Sequence, residues 1–418
     1  MADETISVDA FRADARAWIE ANLEPAPPVA GRGARTENVS PEEIAAARVL
    51  QRRLFDAGFA GISYPSEYGG RGLTPAHEQA FAQEASGYVT PDFGGAGAVT
   101  FGPIGRSILE HGAEELKAEH LPKILSGEEI WCQFYSEPEA GSDLAGIRTS
   151  AVKDGDHYVL NGSKIWSTGA YYADWAMCLA RTDWDVPKHR GLTWFVVPTD
   201  APGVTINRIE QIDGAAGFCE EFLDDVSIPE WYVLGEVGQG WSVTQTMLVY
   251  ERGAGMSGSA GEPRNVAPDM VALAAKVGRL DDPIARQAIA RAHVLDWAQY
   301  HLGRRIGARL RSPDRPAPAI AAYGKLAMGT FQPIRGQQGV LIGGSRALSW
   351  APGDEKGRQA AINYLNGRMV SIAAGTNEMQ RNGIGERVLG LPREPSFDQT
   401  KPFSEVVREA RNWSGKVG

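Results

Sequence analysis

Glu251 lies in Met247-Leu248-Val249-Tyr250-Glu251-Arg252-Gly253, a run with helical character. One turn away on either side are Met247, Leu248, Ala254 and Gly255, none of them basic, so no ion pair along the helix explains the carboxylate. Arg252 is next in sequence and points to a different side of such a helix. A carboxylate among apolar neighbours, once buried, holds its proton more tightly, which suits a general base near neutral pH. Three other segments can meet a ligand. In Phe134-Tyr135-Ser136-Glu137-Pro138-Glu139-Ala140-Gly141-Ser142-Asp143, the small residues and hydroxyl of Gly141-Ser142 let backbone N–H groups approach a phosphate. A plain polar loop entering a sheet reads equally well. In Lys164-Ile165-Trp166-Ser167-Thr168-Gly169, the indole can lie against a planar aromatic cofactor while Thr168 donates to its edge, although a lone strand tryptophan is more often core. Ala373-Ala374-Gly375-Thr376-Asn377-Glu378 is a small-residue turn opening a helix, either an anion site or an ordinary cap.

Other chemistries find little support. There is no Gly-x-Gly-x-x-Gly after a strand, no phosphate-binding Gly-Lys-Ser/Thr loop and no His/Cys cluster with metal spacing. The seven histidines are scattered, which argues against a histidine-centred triad. Cys132, Cys178 and Cys219 are odd in number and widely spaced, so neither a disulfide framework nor a zinc motif is expected. With 42 Lys+Arg against 52 Asp+Glu the formal charge is −10, a poor balance for binding nucleic acid or anionic membrane. The acidic start reads against a secretory signal, and no apolar run nears the roughly 18 residues of a membrane span. A reduced, cytoplasmic, soluble protein is the expectation.

The elements that must position these segments fall into three textures over 418 residues. Residues 1–130 read as helical. Ser40-Pro41-Glu42-Glu43 is a capping box, followed by Ile44, Ala47, Leu50 and Leu54 at helical spacing. Further helical runs cover about 6–22, 75–88, 103–112 and 114–125. From Trp131 strand signals take over, with Asn161-Gly162 reading as a hairpin turn between Tyr158–Leu160 and Lys164–Ser167, and Asp154-Gly155 as a second turn upstream. Residues 131–236 are expected to form an antiparallel, barrel-like sheet. Residues 237–418 return to helix, one starting at Asp282-Pro283 and a last one over Asn377 to Val388. The fold class is therefore α+β: helices, a β domain, a helical bundle.

The four segments, in this order and on this layout, resemble the acyl-CoA dehydrogenase family of flavoproteins. The resemblance extends to Tyr68-Gly69-Gly70-Arg71-Gly72 and to Ile384-Gly385-Glu386-Arg387-Val388-Leu389-Gly390. It implies FAD held between the sheet domain and the C-terminal bundle. Carried over position by position, Gln133, Phe134, Tyr135, Ser136, Gly141, Ser142, Trp166, Ser167, Thr168, Thr376 and Glu378 are expected to contact FAD, the last two across a subunit boundary. Ser142, Arg252, Ala374 and Gly375 are expected to meet substrate. Many family members place the catalytic glutamate directly before the last Gly-Thr, where this chain has Ala374. A minority, including branched- and long-chain members, carry it at the position matching Glu251. The methyl of Ala374 cannot take a proton, but its backbone N–H can polarise a thioester oxygen. A second departure is Gly343-Gly344 preceded by Val340 where the family often has Gln; Leu302-Gly303-Arg304-Arg305-Ile306-Gly307 likewise replaces an Arg-x-x-Phe-Gly signature.

The resemblance implies α,β-dehydrogenation of an acyl-CoA thioester to a trans-2-enoyl-CoA by Glu251 and FAD. Electrons would pass to an electron-transferring flavoprotein or similar carrier. The chain would assemble with itself as a dimer or tetramer, or with a related subunit, as in bacterial steroid side-chain enzymes. Two alternatives remain: a flavin-dependent monooxygenase or oxidase on the same fold, which needs no carboxylate at 251, and a non-catalytic subunit of a heteromeric dehydrogenase, which binds little FAD alone.

Overall fold

A computed structural model describes residues 6–26, 38–257, 263, 265–310, 320–349, 354–393, 395–396 and 398–412, with backbone only at 252–257, 310 and 355–356. The N-terminal part packs α1 (Val8–Asn22), α2 (Pro41–Asp56), α3 (Pro75–Glu84), α4 (Gly94–Val99), α5 (Gly105–His111) and α6 (Glu114–Ser126). The capping box forms as expected: Ser40 Oγ accepts from Glu43 N (3.2 Å) and the Glu43 carboxylate from Ser40 N (2.9 Å). Ile44, Ala47 and Leu54 form the buried stripe. Between α4 and α5 a widened turn over 100–104 contains Pro103 and breaks helical geometry at Gly102 (φ −92, ψ −105). Thr100 Oγ1 in that turn accepts from Trp131 N (2.8 Å), tying it to the first strand.

The middle of the chain builds one eight-stranded sheet: β1 (Trp131–Phe134), β2 (Ser150–Asp154), β3 (His157–Thr168), β4 (Trp175–Arg181), β5 (Leu192–Pro198), β6 (Val204–Ile209), β7 (Phe218–Pro229) and β8 (Val233–Leu234). Its order is β6-β7-β3-β2-β4-β5-β8, with β1 added beside β4. Pairings are mostly antiparallel, but β1 runs parallel to β4 and β2 meets β4 in parallel at Ser150 and Arg181. Strands β4 and β5 are buried on both faces and almost wholly apolar, with Arg181 and Thr193 the buried polar exceptions. Met177, Leu179, Trp194 and Val196 face the helices; Ala176, Cys178, Phe195 and Val197 fill the other side.

One expectation fails. Asn161-Gly162 turns no hairpin but lies inside the single twelve-residue strand β3. The turn is at Gly155 (φ 62) and Asp156, with Asp154 paired to His157. At Asn161 the partner strand β7 carries an extra residue, Asp225 (φ 50), and the Asn161 amide brackets it, donating to Asp225 Oδ1 and accepting from Asp225 N (both 2.9 Å). The amide that favours a tight turn here stabilises a bulge instead, and Gly162 is required because a Cβ there would come within 2.7 Å of Thr149 Cα.

The C-terminal part comprises α7 (Gly240–Ser257), α8 (Pro268–Lys276), α9 (Pro283–Leu310), α10 (Ala321–Gly343), α11 (Glu355–Met369), α12 (Asn377–Arg387) and α13 (Phe403–Arg411). Asp282 caps α9, accepting from Ile284 N (2.8 Å). Helix α7 matters most for the site. Val243 and Met247 are buried in the core shared with α5, α6 and the sheet. Its first residue touches β5: Trp194 Nε1 donates to Gly240 O (3.0 Å) and Thr244 Oγ1 (3.1 Å), and a Cβ at 240 would meet Leu192 O at 2.7 Å. Gly240→Val is therefore expected to push α7 off the sheet and cost about 1–3 kcal/mol, read as a lower urea midpoint at unchanged m-value. An unchanged midpoint would show that the approach is slack.

Candidate active site

Lys164 is a lysine in the inward phase of β3, in step with buried Tyr158 and Leu160, and is wholly buried. Its ammonium donates to Tyr135 O (3.3 Å), Leu179 O (2.6 Å) and Glu137 Oε1 (2.9 Å), so all three N–H bonds are used. Glu137 is also buried and accepts from Arg148 N (2.6 Å) and Thr149 N (2.9 Å). Burial pushes its carboxyl up, but the Lys164 charge and hydrogen bonds from Lys164, Thr149 and Arg148 outweigh that and hold it below the usual range. Ser167 Oγ lies 2.7 Å from Gln133 O, and Ile165 N donates to Ser136 O (3.0 Å). Residues 133–137 are thus laid along 164–167 and fastened by alternating main-chain and side-chain bonds.

Trp166 stands between these fastenings. Ile165 pairs with Glu220 and Ser167 with Cys219, so Trp166 is an extra residue bulged out of β3. Its φ is +69, and it is 55% exposed. A bulky side chain in left-handed backbone stores roughly 1–3 kcal/mol of strain, a cost concentrated at functional positions. The core reading of this tryptophan is excluded; the indole touches Phe218 edge-on (6.0 Å) and presents its surface outward. Beside it Thr168 is half-buried and Gln133 Nε2 is a buried donor with no hydrogen-bond partner among the described residues. An exposed ring and an unsatisfied donor on the two fastened segments suit a planar heteroaromatic group with edge acceptors, and a flavin fits that description.

The other expected residues divide. Phe134 is fully buried among inner-sheet apolar residues, so only its backbone can face a ligand, and the Ser167 hydroxyl is committed inward. Tyr135 stacks on Trp194 (5.2 Å). Gly141 and Ser142 are exposed on the loop after β1, and nothing lies within 4 Å of a Cβ added at Gly141. Asp143, next to them, pairs with Lys188 (2.8 Å), which also pairs with Asp398 (2.5 Å) from the segment before α13. Glu251 is half-buried on α7, one turn beyond buried Met247 and on the same stripe. The helix is held from α5 by Tyr250, which donates to Glu110, and by His111 Nε2 2.8 Å from Thr246 Oγ1. The side chain of Arg252 lies outside the described residues. Ala374 is exposed in left-handed backbone (φ 52), followed by Gly375 (φ 86). Thr376 caps α12 by accepting from Met379 N (3.2 Å), Glu378 pairs with Arg381 (3.3 Å), and α12 packs on α10. The fold therefore brings Gln133–Ser136 and Trp166–Thr168 into one platform, while 374–378 sits apart in the bundle.

Sequence reasoning did not assign Lys164 or Glu137 to the site. Their signal is a lysine in step with buried strand positions, matched to a glutamate at the end of β1.

Family descriptions match the chain in three consecutive parts: acyl-CoA dehydrogenase N-terminal domain over residues 6–128, middle domain over 132–226 and C-terminal domain over 238–389. The chain belongs to the acyl-CoA dehydrogenase family and is an oxidoreductase of that class. It is 36% identical over 394 residues to the acyl-CoA dehydrogenase IpdE1 of Mycobacterium tuberculosis, covering 93% of this chain and 98% of that protein. Among solved structures it is similar to the Tcur3481-Tcur3483 steroid enzyme (TM-score 0.74, 27% identity, 94% of this chain and 99% of that one). It is also similar to a glutaryl-CoA dehydrogenase of Mycobacterium smegmatis in complex with FADH2 (TM-score 0.66, 25% identity, 94% and 96%).

Removing Lys164 alone strands the Glu137 charge in the sheet. Lys164→Met is expected to lose about 3–5 kcal/mol in urea unfolding, and Lys164→Met/Glu137→Gln to recover part of it, since no lone charge remains. Equal loss in both variants would mean that the pair is not what holds the platform.

Proposed function

We propose that this protein removes the α and β hydrogens of an acyl-CoA thioester with the help of FAD, giving the trans-2-enoyl thioester, with Glu251 as the base. The observation that carries this reading is the strained, exposed Trp166, bulged out between two side chains that clamp 133–137 to β3. When bound, FAD would supply the hydride acceptor for the β-hydrogen. Gln133, Tyr135, Ser136, Trp166 and Thr168 would hold its ring system, Gly141 and Ser142 its phosphates or the CoA side of the substrate, and Thr376 and Glu378 a second contact from α12. The glutaryl-CoA dehydrogenase relative solved with FADH2 supports the choice of cofactor.

Glu251 would take the α-proton. Its place on the core stripe of α7 supports this, because a half-buried carboxylate one turn from buried Met247 is partly screened from water and held by a helix anchored at both Gly240 and Tyr250. The amide of exposed Ala374, in a turn completed by Gly375, would donate to the thioester oxygen and stabilise the charge that develops there. Arg252 would lie along the same substrate path. An alanine at 374 leaves room that a glutamate would fill, and the similarity to a steroid enzyme supports a bulky, ring-bearing or branched acyl group.

The working unit we propose has domains at 1–130, 131–236 and 237–418, and an oligomeric assembly with copies of itself or a related chain; the two-chain name of the Tcur3481-Tcur3483 steroid enzyme favours the latter. It would pass electrons to an electron-transferring flavoprotein or similar carrier. Three free, buried cysteines suit a reducing cytoplasm.

The decisive test is anaerobic titration of FAD-loaded protein with a panel of acyl-CoA thioesters, wild type beside Glu251→Gln. One thioester class should bleach the flavin band, with the rate in Glu251→Gln lower by about 10²–10⁴-fold. Equal bleaching in the variant would remove Glu251 from the role of base; rapid reoxidation in air with no thioester response would favour an oxidase.

A further inference from the structure

Glu221 is wholly buried inside the sheet, on β7 opposite Lys164, and has no place in the reaction just described. Its Oε2 lies 2.9 Å from Ser167 Oγ, which lies 2.7 Å from Gln133 O; its Oε1 has no hydrogen-bond partner among the described residues. The hydrogens decide what this chain means. Ser167 has one hydrogen for two neighbours; the Gln133 carbonyl can only accept, whereas a carboxyl can donate, so both contacts are hydrogen bonds at once only with the serine hydrogen on Gln133 O. The contact to Glu221 is then a hydrogen bond only if the carboxyl carries a proton.

Charge balance agrees. The one buried ammonium nearby, Lys164, spends its three N–H bonds on Tyr135, Leu179 and Glu137, and its charge is matched by Glu137, which has two further backbone donors. The charged and titratable groups around Glu221 are Lys164, opposite it on β3 and itself paired with Glu137, Glu220, next to it on β7 and directed to the other face, and the thiols of Cys132, Cys178 and Cys219. Arg208 on β6 turns away onto the Tyr171 ring (3.9 Å). A second carboxylate beside an already paired ammonium has no counter-charge.

We propose that Glu221 is a positioning residue: held as the neutral acid, it donates to Ser167 and so fixes the Gln133 backbone and the Trp166 bulge in the shape that receives the flavin. This rests on the FAD reading above. Burial raises the carboxyl to about 7, against the Ser167 hydroxyl, which can donate to the ionised form instead, and the Lys164 charge, with Glu220 pushing it up. Below that pH the acid donates. Above it the carboxylate claims the serine hydrogen and leaves two oxygens 2.7 Å apart at Gln133 with none between them. Flavin affinity therefore falls as pH rises through about 7.

The test compares wild type, Glu221→Gln and Glu221→Ala by two readouts. Infrared difference spectra against Glu221→Gln detect the carbonyl stretch of a protonated carboxyl, with or without FAD. Quenching of FAD fluorescence gives the dissociation constant from about pH 6 to about pH 8.5. The band is expected at the lower pH, with wild-type affinity dropping on the order of tenfold toward the higher pH, the worth of one hydrogen bond. Glu221→Gln, whose amide N–H still donates, should bind as wild type does at low pH and show no pH slope; Glu221→Ala should bind weakly at both. A missing band, or the same slope in Glu221→Gln, overturns the proposal. A protein with the band that binds no FAD at any pH overturns it through the flavin reading instead.

Discussion

A single ammonium buried inside the β domain governs how the rest of the molecule is used. Lys164 reaches three acceptors on two segments: the main chain of Tyr135 and the carboxylate of Glu137 in the 133–137 stretch, and the main chain of Leu179 in β4. A charge out of water is tolerated only if every donor is satisfied and a counter-charge is present, and both conditions are met here. The consequence is geometric. Residues 133–136 run beside β3 without a regular ladder, so their half-buried edge and the exposed indole of Trp166 form a platform whose position is set from behind.

That anchoring makes the strain at Trp166 sustainable. Left-handed backbone at a tryptophan persists only where both flanks are held, and Lys164 and Ser167 hold them through side chains on either side of the bulge. The same reasoning applies at Ala374, where a non-glycine residue in left-handed backbone is supported by Gln380, whose amide lies 3.4 Å from Ala374 O and 3.2 Å from Gly375 O. Trp166 and Ala374 are both exposed, and they carry the ring and the backbone amide that the proposed chemistry needs. Glu251 is held differently: rigidity comes from α7 as a whole, fastened at one end by Trp194 to Gly240 and near the other by Tyr250 to Glu110.

Much of this was legible without coordinates because it is local. The capping box at Ser40–Glu43, the apolar runs of β4 and β5, the start of α9 at Asp282-Pro283 and the apolar neighbours of Glu251 all follow from residue spacing over one or two turns. The ordered segments on a helix–sheet–helix layout were enough to point to the family that the domain matches then showed.

What sequence alone could not decide depends on partners distant in the chain. Asn161-Gly162 has the local preference of a turn, yet Asp225, 64 positions away, converts it into one side of a bulge. Trp166 is indistinguishable from a core tryptophan until the register of β7 shows one residue too many on β3. Glu137, Lys164 and Glu221 look like ordinary strand charges, because burial and pairing arise only when three strands and a loop close around them. Short-range pattern determined which elements form and which residue types are available. Tertiary structure alone decided which charges are buried, which backbone is strained and which ring is left facing out, because those depend on burial and register between strands far apart in the chain.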